Sequence, residues 1–201
     1  MEKIIFEKQI NSDKLKKAAQ ILRNDGILIH PTENLYGFGA MINSTAAIER
    51  ISHLKKRTPK KGYIVLIGDK SQLESIVQNI NQIQKELMRK FWPGSLTIIF
   101  VASKQLRGSP VCPNETIAVR LVGNPITRNI IKYCNSPIIS TSVNVSGNKI
   151  INEPKQIISK FSDNVDGFVI DKIHNFSLEP STIVKEKNNK IKILRQGILK
   201  I

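Results

Sequence analysis

The chain has 201 residues, 40% of them hydrophobic and 23% charged, enough to bury roughly 70% of the unfolded surface and too apolar for a disordered segment. No run approaches the ~18 apolar residues of a membrane span, and the N-terminus alternates charge with Ile and Phe instead of building a signal core, so a cytoplasmic protein without membrane contact is expected. Cys112 and Cys134 are too few for a disulfide framework or a metal knuckle; the net charge of +15 suits a nucleic acid or a polyanionic ligand, although the abundance of Ile, Lys and Asn is also what AT-rich coding imposes.

From Asn11 to Asp25, Leu15, Ala18, Ala19 and Leu22 recur at helical spacing, with Asn11 or Ser12 as cap and Gly26 as stop. The short apolar run Ile27 to His30 reads as a buried strand that delivers the loop from Pro31 through Gly39. A helix over Thr45 to Leu54 ends in the basic loop from Lys55 to Gly62, before a strand from Tyr63 to Ile67. Ile83, Leu87 and Phe91 mark a helix closed by Trp92-Pro93-Gly94; Leu96 to Ala102 and Thr116 to Val122 are strands. Pro125 opens a helix through Cys134, and Pro137 to Ser140 is a strand ending in the loop Thr141 to Gly147. Ser181 to Val184 and Lys190 to Leu194 are β-rich runs joined at Asn188-Asn189. Alternating helices and strands, with some adjacent strand pairs, predict one domain over residues 1–201: a mixed sheet flanked by helices, in the α/β or α+β range.

Three features carry candidate chemistry. Lys55 and Arg57, in a basic loop after a helix, offer a compact charge and a planar fork to phosphate oxygens, or form a lysine-rich surface turn. Ser142 and Asn144 follow a buried strand, where they hold phosphate or ribose oxygens or satisfy their own turn. Arg120 stands inside an apolar strand, where it faces outward or is buried against an anion; Arg195 poses the same choice. There is no GxxxxGK[ST] loop, and Gly37-Phe38-Gly39 lacks the third glycine of a dinucleotide fingerprint. His30, His53 and His174 show no metal-ligand spacing, so no metal site is expected.

Read in order, Pro31-Thr32-Glu33-Asn34-Leu35-Tyr36-Gly37, Lys55-x-Arg57, Trp92-Pro93-Gly94, Ala118-Val119-Arg120, Ser140 through Gly147, Pro180-Ser181-Thr182-Ile183 and Arg195-Gln196-Gly197 resemble the YrdC family, and within it the short bacterial branch of threonylcarbamoyl-AMP synthases. The resemblance covers essentially the whole chain. It implies a twisted mixed sheet with helices around a basic concave pocket, and a reaction of L-threonine, bicarbonate or carbon dioxide and ATP to threonylcarbamoyl-AMP and pyrophosphate. The product would feed a transfer complex of the TsaD, TsaB and TsaE type that modifies tRNA next to the anticodon, with tRNA contact by this chain also open. Carried over by position, Lys55, Arg57, Ser142 and Asn144 would be catalytic, while Thr32, Arg120, Ser140 and Ser181 would hold threonine. Arg57, Lys61, Thr116, Ser142 and Arg195 would line the ATP site. Asn34, Thr58, Leu66 and Val143 depart from the family pattern.

The chemistry needs in-line positioning and charge neutralisation more than a protein nucleophile, so no tightly bound cofactor is expected and Mg²⁺ would arrive with ATP. Glu33 is the nearest carboxylate for a base role. Two other readings stand beside this one: a non-catalytic tRNA- or double-stranded-RNA-binding module of the same fold, and a carbamoyl-adenylate domain like that of hydrogenase maturation proteins. Aromatics at 5% leave the RNA reading little for base stacking.

Overall fold

The computed structural model describes residues 1–57 and 62–201. Its backbone is a ten-stranded mixed sheet in the order β1-β8-β2-β3-β7-β4-β6-β5-β9-β10. The strands are β1 (Glu2–Phe6), β2 (Leu28–Pro31), β3 (Tyr36–Met41), β4 (Ile64–Ile67), β5 (Leu96–Val101), β6 (Thr116–Leu121), β7 (Ile138–Ser142), β8 (Gly167–Asp171), β9 (Thr182–Lys187) and β10 (Lys190–Arg195). Five α-helices accompany them: α1 (Ser12–Arg23), α2 (Thr45–Lys55), α3 (Gln82–Phe91), α4 (Pro125–Cys134) and α5 (Pro154–Phe161).

Each helix is set by its cap and its apolar stripe. Asn11 accepts from the Asp13 and Lys14 amides to start α1, and Asn124 accepts from Ile126 and Thr127 to start α4. The buried residues of α1 and α4 pack together with Leu28, Met41, Leu66 and Ile138 on one face of the sheet. The stripes of α2, α3 and α5 join the larger core, which holds Phe38, Val65, Ile98 and Val119. Helices therefore cover both faces, and the expected mixed sheet flanked by helices is the fold observed.

Two differences from the sequence reading bear on the site. The segment from Pro31 to Gly39 is not one loop. Only Thr32 to Leu35 turn, and Tyr36 begins β3, paired antiparallel with β2 and β7. Glycines at 37 and 39 lower strand propensity and hide this strand from a period-two pattern. Likewise Thr141 and Ser142 belong to β7, opposite Phe38 and Gly37 of β3. The β9–β10 hairpin turns on Asn188 and Asn189, both with positive φ (54° and 59°), the conformation the Asn-Asn turn predicts.

Phe168 of β8 is fully buried and meets the Tyr36 ring edge-on at 5.1 Å. Phe168→Ala is expected to cost about 3–5 kcal/mol of stability, measured as a shift of the urea unfolding midpoint.

Candidate active site

A cavity of about 440 Å³ opens on the same face of the sheet as α1 and α4, over strands that these helices leave uncovered, and its size is that of a small-molecule site. Strand alternation decides what it sees. On β6, Thr116, Ala118 and Arg120 line it, while Ile117, Val119 and Leu121 face the opposite core. Ser140, Ile64, Ala118 and Ile99 form one register row across β7, β4, β6 and β5. Leu66 lies opposite Arg120 in the next row.

Arg120 is 5% exposed, which removes the outward-facing reading. Its Nη2 lies 3.2 Å from Glu33 Oε2, yet among the described residues Nε and Nη2 are buried without a hydrogen-bond partner. A guanidinium on a cavity wall with one carboxylate beside it favours an anion there. Glu33 Oε2 also accepts from the Gly123 and Asn124 amides at 3.0 and 3.2 Å, where α4 begins. Glu33 is therefore tied into the fold behind Arg120, and it does not line the cavity as a base would.

Arg195 donates through Nε and Nη2 to the Ser181 carbonyl and through Nη2 to Ser181 Oγ, which also meets Thr97 Oγ1 at 2.9 Å. Burial and the Arg120 charge both press the Arg195 pKa down, so two guanidiniums converge on this end. Thr32 lines the same end, but its hydroxyl donates to the Leu35 carbonyl and accepts from the Asn34 and Leu35 amides. That exhausts a hydroxyl's capacity, so Thr32 shapes the turn. Asn34 accepts from Ser95 Oγ and donates to Ser177 Oγ, pinning the turn to two other segments.

At the other end, about 13 Å along β6 from Arg120, stand Thr116, Asn114, Val111 and Pro113. Arg57 closes this end: its guanidinium lies 4.6 Å from the centre of the Tyr63 ring and donates to the Gly62 carbonyl at 2.6 Å. Lys61 and Thr58 lie outside the described residues.

Ser142 lines the cavity, whereas Lys55 and Asn144 stand behind it. Lys55 is 2% exposed, and its Nζ donates to Ser142 O, Asn144 O and Asn144 Oδ1 at 2.6, 2.8 and 2.7 Å. An ammonium has three N–H bonds, and all three are used. Burial, and then the Arg57 charge, lower its pKa to about 8. The Lys55 carbonyl accepts from Ser146 N, and Asn144 Oδ1 accepts from Ser142 Oγ. Lys55, Ser142 and Asn144 are thus one hydrogen-bonded unit.

His30, for which the sequence offers no metal-ligand spacing, is fully buried beside Ser140. Burial lowers its pKa to about 4. Its signal in the sequence was indirect: the glycines of β3 leave room for it. Tyr63 and Asn114 also line the wall, and no motif in the sequence marks either.

Fold and site define an α/β protein with a basic cavity, one end built to receive an anion. A family model described as "Telomere recombination", Sua5_yciO_yrdC, matches residues 20–197, and the chain belongs to that family, as its motifs suggest. It is 31% identical over 164 residues to the threonylcarbamoyl-AMP synthase of Bacillus subtilis, covering 81% of this chain and 47% of that protein. Identity is 32% over 157 residues with the threonylcarbamoyl-AMP synthase of Psychromonas ingrahamii, covering 77% of this chain and 82% of that one. With a putative threonylcarbamoyl-AMP synthase of Methanocaldococcus jannaschii it is 30% over 204 residues, covering 99% and 95%. P. abyssi Sua5 complexed with L-threonine superposes with a TM-score of 0.89 at 25% identity, over 98% of this chain and 58% of that one. E. coli YciO shares the fold, with a TM-score of 0.85 at 22% identity over 98% and 95%. The chain spans about half of the B. subtilis relative and nearly all of the M. jannaschii one.

Two outcomes test the site's construction. Lys55→Met should lower turnover at least tenfold while amide exchange in residues 144–148 rises, seen by hydrogen-exchange mass spectrometry; unchanged exchange would separate Lys55 from the loop. His30 is held neutral in the fold with a pKa near 4 against 6.5 in the unfolded chain. The unfolded state therefore takes up a proton that the fold refuses as pH falls from 6.5 to 4. Wild type should lose about 3 kcal/mol more than His30→Gln between pH 7 and pH 4 in urea titrations.

Proposed function

We propose that this chain is a threonylcarbamoyl-AMP synthase, joining L-threonine, carbon dioxide from bicarbonate and ATP. The observation that carries the reading is Arg120: buried on the cavity wall with Glu33 as its ion-pair partner, and close enough to Arg195 for the two charges to interact. The threonine carboxylate supplies an anion for these two guanidiniums, and a charge-assisted bond of this kind is worth about 1.5–3 kcal/mol. Relatives named threonylcarbamoyl-AMP synthase, and a P. abyssi relative whose crystal structure holds L-threonine, support the choice of amino acid.

ATP takes the remaining length of the cavity. Tyr63, Val111 and Pro113 offer an apolar wall for the base, with Asn114 and Thr116 for polar contacts, while Arg57 and Arg195 face the phosphates. Mg²⁺ enters on the ATP phosphates, whose oxygens suit its preference for hard ligands. The threonine nitrogen adds to carbon dioxide and loses a proton to give the carbamate. A carbamate oxygen then attacks the α-phosphorus, the bond to the bridging oxygen breaks and pyrophosphate leaves. The converging cations neutralise charge that builds on the phosphates, and Ser142, held by Lys55 and Asn144, fixes the wall against which this happens.

The product, a mixed anhydride, must be consumed by a transferase that acylates tRNA next to the anticodon, in a complex of the TsaD, TsaB and TsaE type in the cytoplasm. Among the described residues no helix is long and apolar enough to cross a membrane. The non-catalytic RNA-binding reading is not favoured, because the matched relatives carry the synthase name.

Purified protein with ATP, L-threonine and bicarbonate is expected to yield pyrophosphate and the adenylate, identified by mass spectrometry; equal product without threonine overturns the reading. Arg120→Gln should raise the threonine KM roughly 10- to 100-fold with the ATP KM within about threefold. An unchanged threonine KM would move the carboxylate elsewhere.

A further inference from the structure

Hydrogen-bond direction fixes the proton on His30. Its Nδ1 lies 3.2 Å from the Pro31 carbonyl oxygen, a group that only accepts. The other oxygen in reach, Thr127 Oγ1 at 3.5 Å, gives its hydrogen to the same carbonyl at 2.6 Å. Nδ1 therefore carries the ring hydrogen and Nε2 the lone pair. Ser140 Oγ sits 3.1 Å from Nε2, so the serine must be the donor. With its one hydrogen spent on the imidazole, Ser140 keeps only lone pairs for the cavity that it lines.

The backbone is cut to allow this. A Cβ at Gly37 would stand 2.8 Å from Ser140 Oγ, and one at Gly39 would stand 2.7 Å from His30 Cδ2. The two glycines of β3, which read in sequence as half of a nucleotide fingerprint, are the space that the histidine and serine occupy. His30 also feels the charge of Arg120, so the pair borders the anion end of the cavity.

We propose that His30 is a positioning residue that fixes Ser140 as a hydrogen-bond acceptor, so that the amino-acid end of the cavity receives a ligand N–H donor. The inference rests on the reading of that end as a threonine site. With the carboxylate on Arg120, the group that meets Ser140 is the threonine nitrogen, first as amine and then as carbamate N–H. His30 acts through the serine and touches no ligand atom.

The test is a double-mutant cycle read by calorimetric titration of threonine in the full chain, with ATP titrated as a control. His30→Phe and Ser140→Ala should each weaken threonine binding roughly tenfold, leaving ATP within about threefold, because each removes one oriented acceptor. The double variant should be no weaker than the weaker single one. An additive double, near a hundredfold, overturns the coupling. His30→Gln, whose amide oxygen can replace Nε2, should recover binding to within about threefold of wild type; failure to recover overturns the acceptor role. Wild type that binds ATP but no threonine overturns the underlying threonine reading, whereas threonine binding unchanged in His30→Phe overturns this inference alone. Nitrogen-15 NMR of the labelled wild-type histidines reads the tautomer without any change at His30: a hydrogen on Nδ1 supports the assignment, and one on Nε2 overturns it.

Discussion

A guanidinium held in the middle of a sheet is the constraint around which the molecule is arranged. Arg120 sits on a central strand with five percent of its surface exposed, and burying such a charge is unfavourable unless acceptors surround it. The fold answers with Glu33, placed by the turn between β2 and β3, and that carboxylate also caps the amides where α4 starts. Thr32 and Asn34 fix the turn that carries Glu33. One charge therefore links two strands, a turn and a helix start. Its guanidinium still borders the cavity, with Nε and Nη2 lacking a hydrogen-bond partner among the described residues.

The rest of the site follows from the same economy of positions. Period-two alternation on β6 sends hydrophobic side chains into one core and Thr116, Ala118 and Arg120 into the cavity. Polar side chains on and behind the wall divide into those that spend their hydrogen bonds inside the protein and those that retain some. Thr32 and Lys55 belong to the first group, Arg120 and Ser140 to the second. Proximity to the cavity is a weaker guide to contact with ligand than this count of what remains unspent.

Much of the architecture was legible in the sequence. The long amphipathic helices α1, α3 and α4 and the apolar strands β5 and β6 announce themselves by period and cap, and the motif set named the family. β3 did not, because its glycines serve neighbouring side chains and not the strand. β8 and α5 are short, with three consecutive apolar residues in one and one pair of buried anchors in the other, Ile157 and Phe161. At the site, the motifs marked Thr32, Arg120, Ser140, Ser142 and Ser181, which line one cavity, but not how their hydrogen bonds are divided. That Lys55 faces inward onto carbonyl oxygens, and that His30 backs Ser140, depends on pairings across strands distant in sequence. Spacing along a chain carries no hydrogen-bond directions.

The clamp between α2 and the segment after β7 bears on how this sequence is free to drift. Lys55 grips two main-chain oxygens and one side-chain oxygen, so the clamp is blind to what residue stands at 142 and 143 and particular only about 144. Position 143 is sealed in the core, where volume governs, and a valine there answers to its packing neighbours. Selection can then retune the serine for chemistry without loosening the anchor, while a change at Lys55 or Asn144 is heard by the whole segment. A motif that looks like four equal letters is two kinds of inheritance, one frozen by mechanics and one free of that grip.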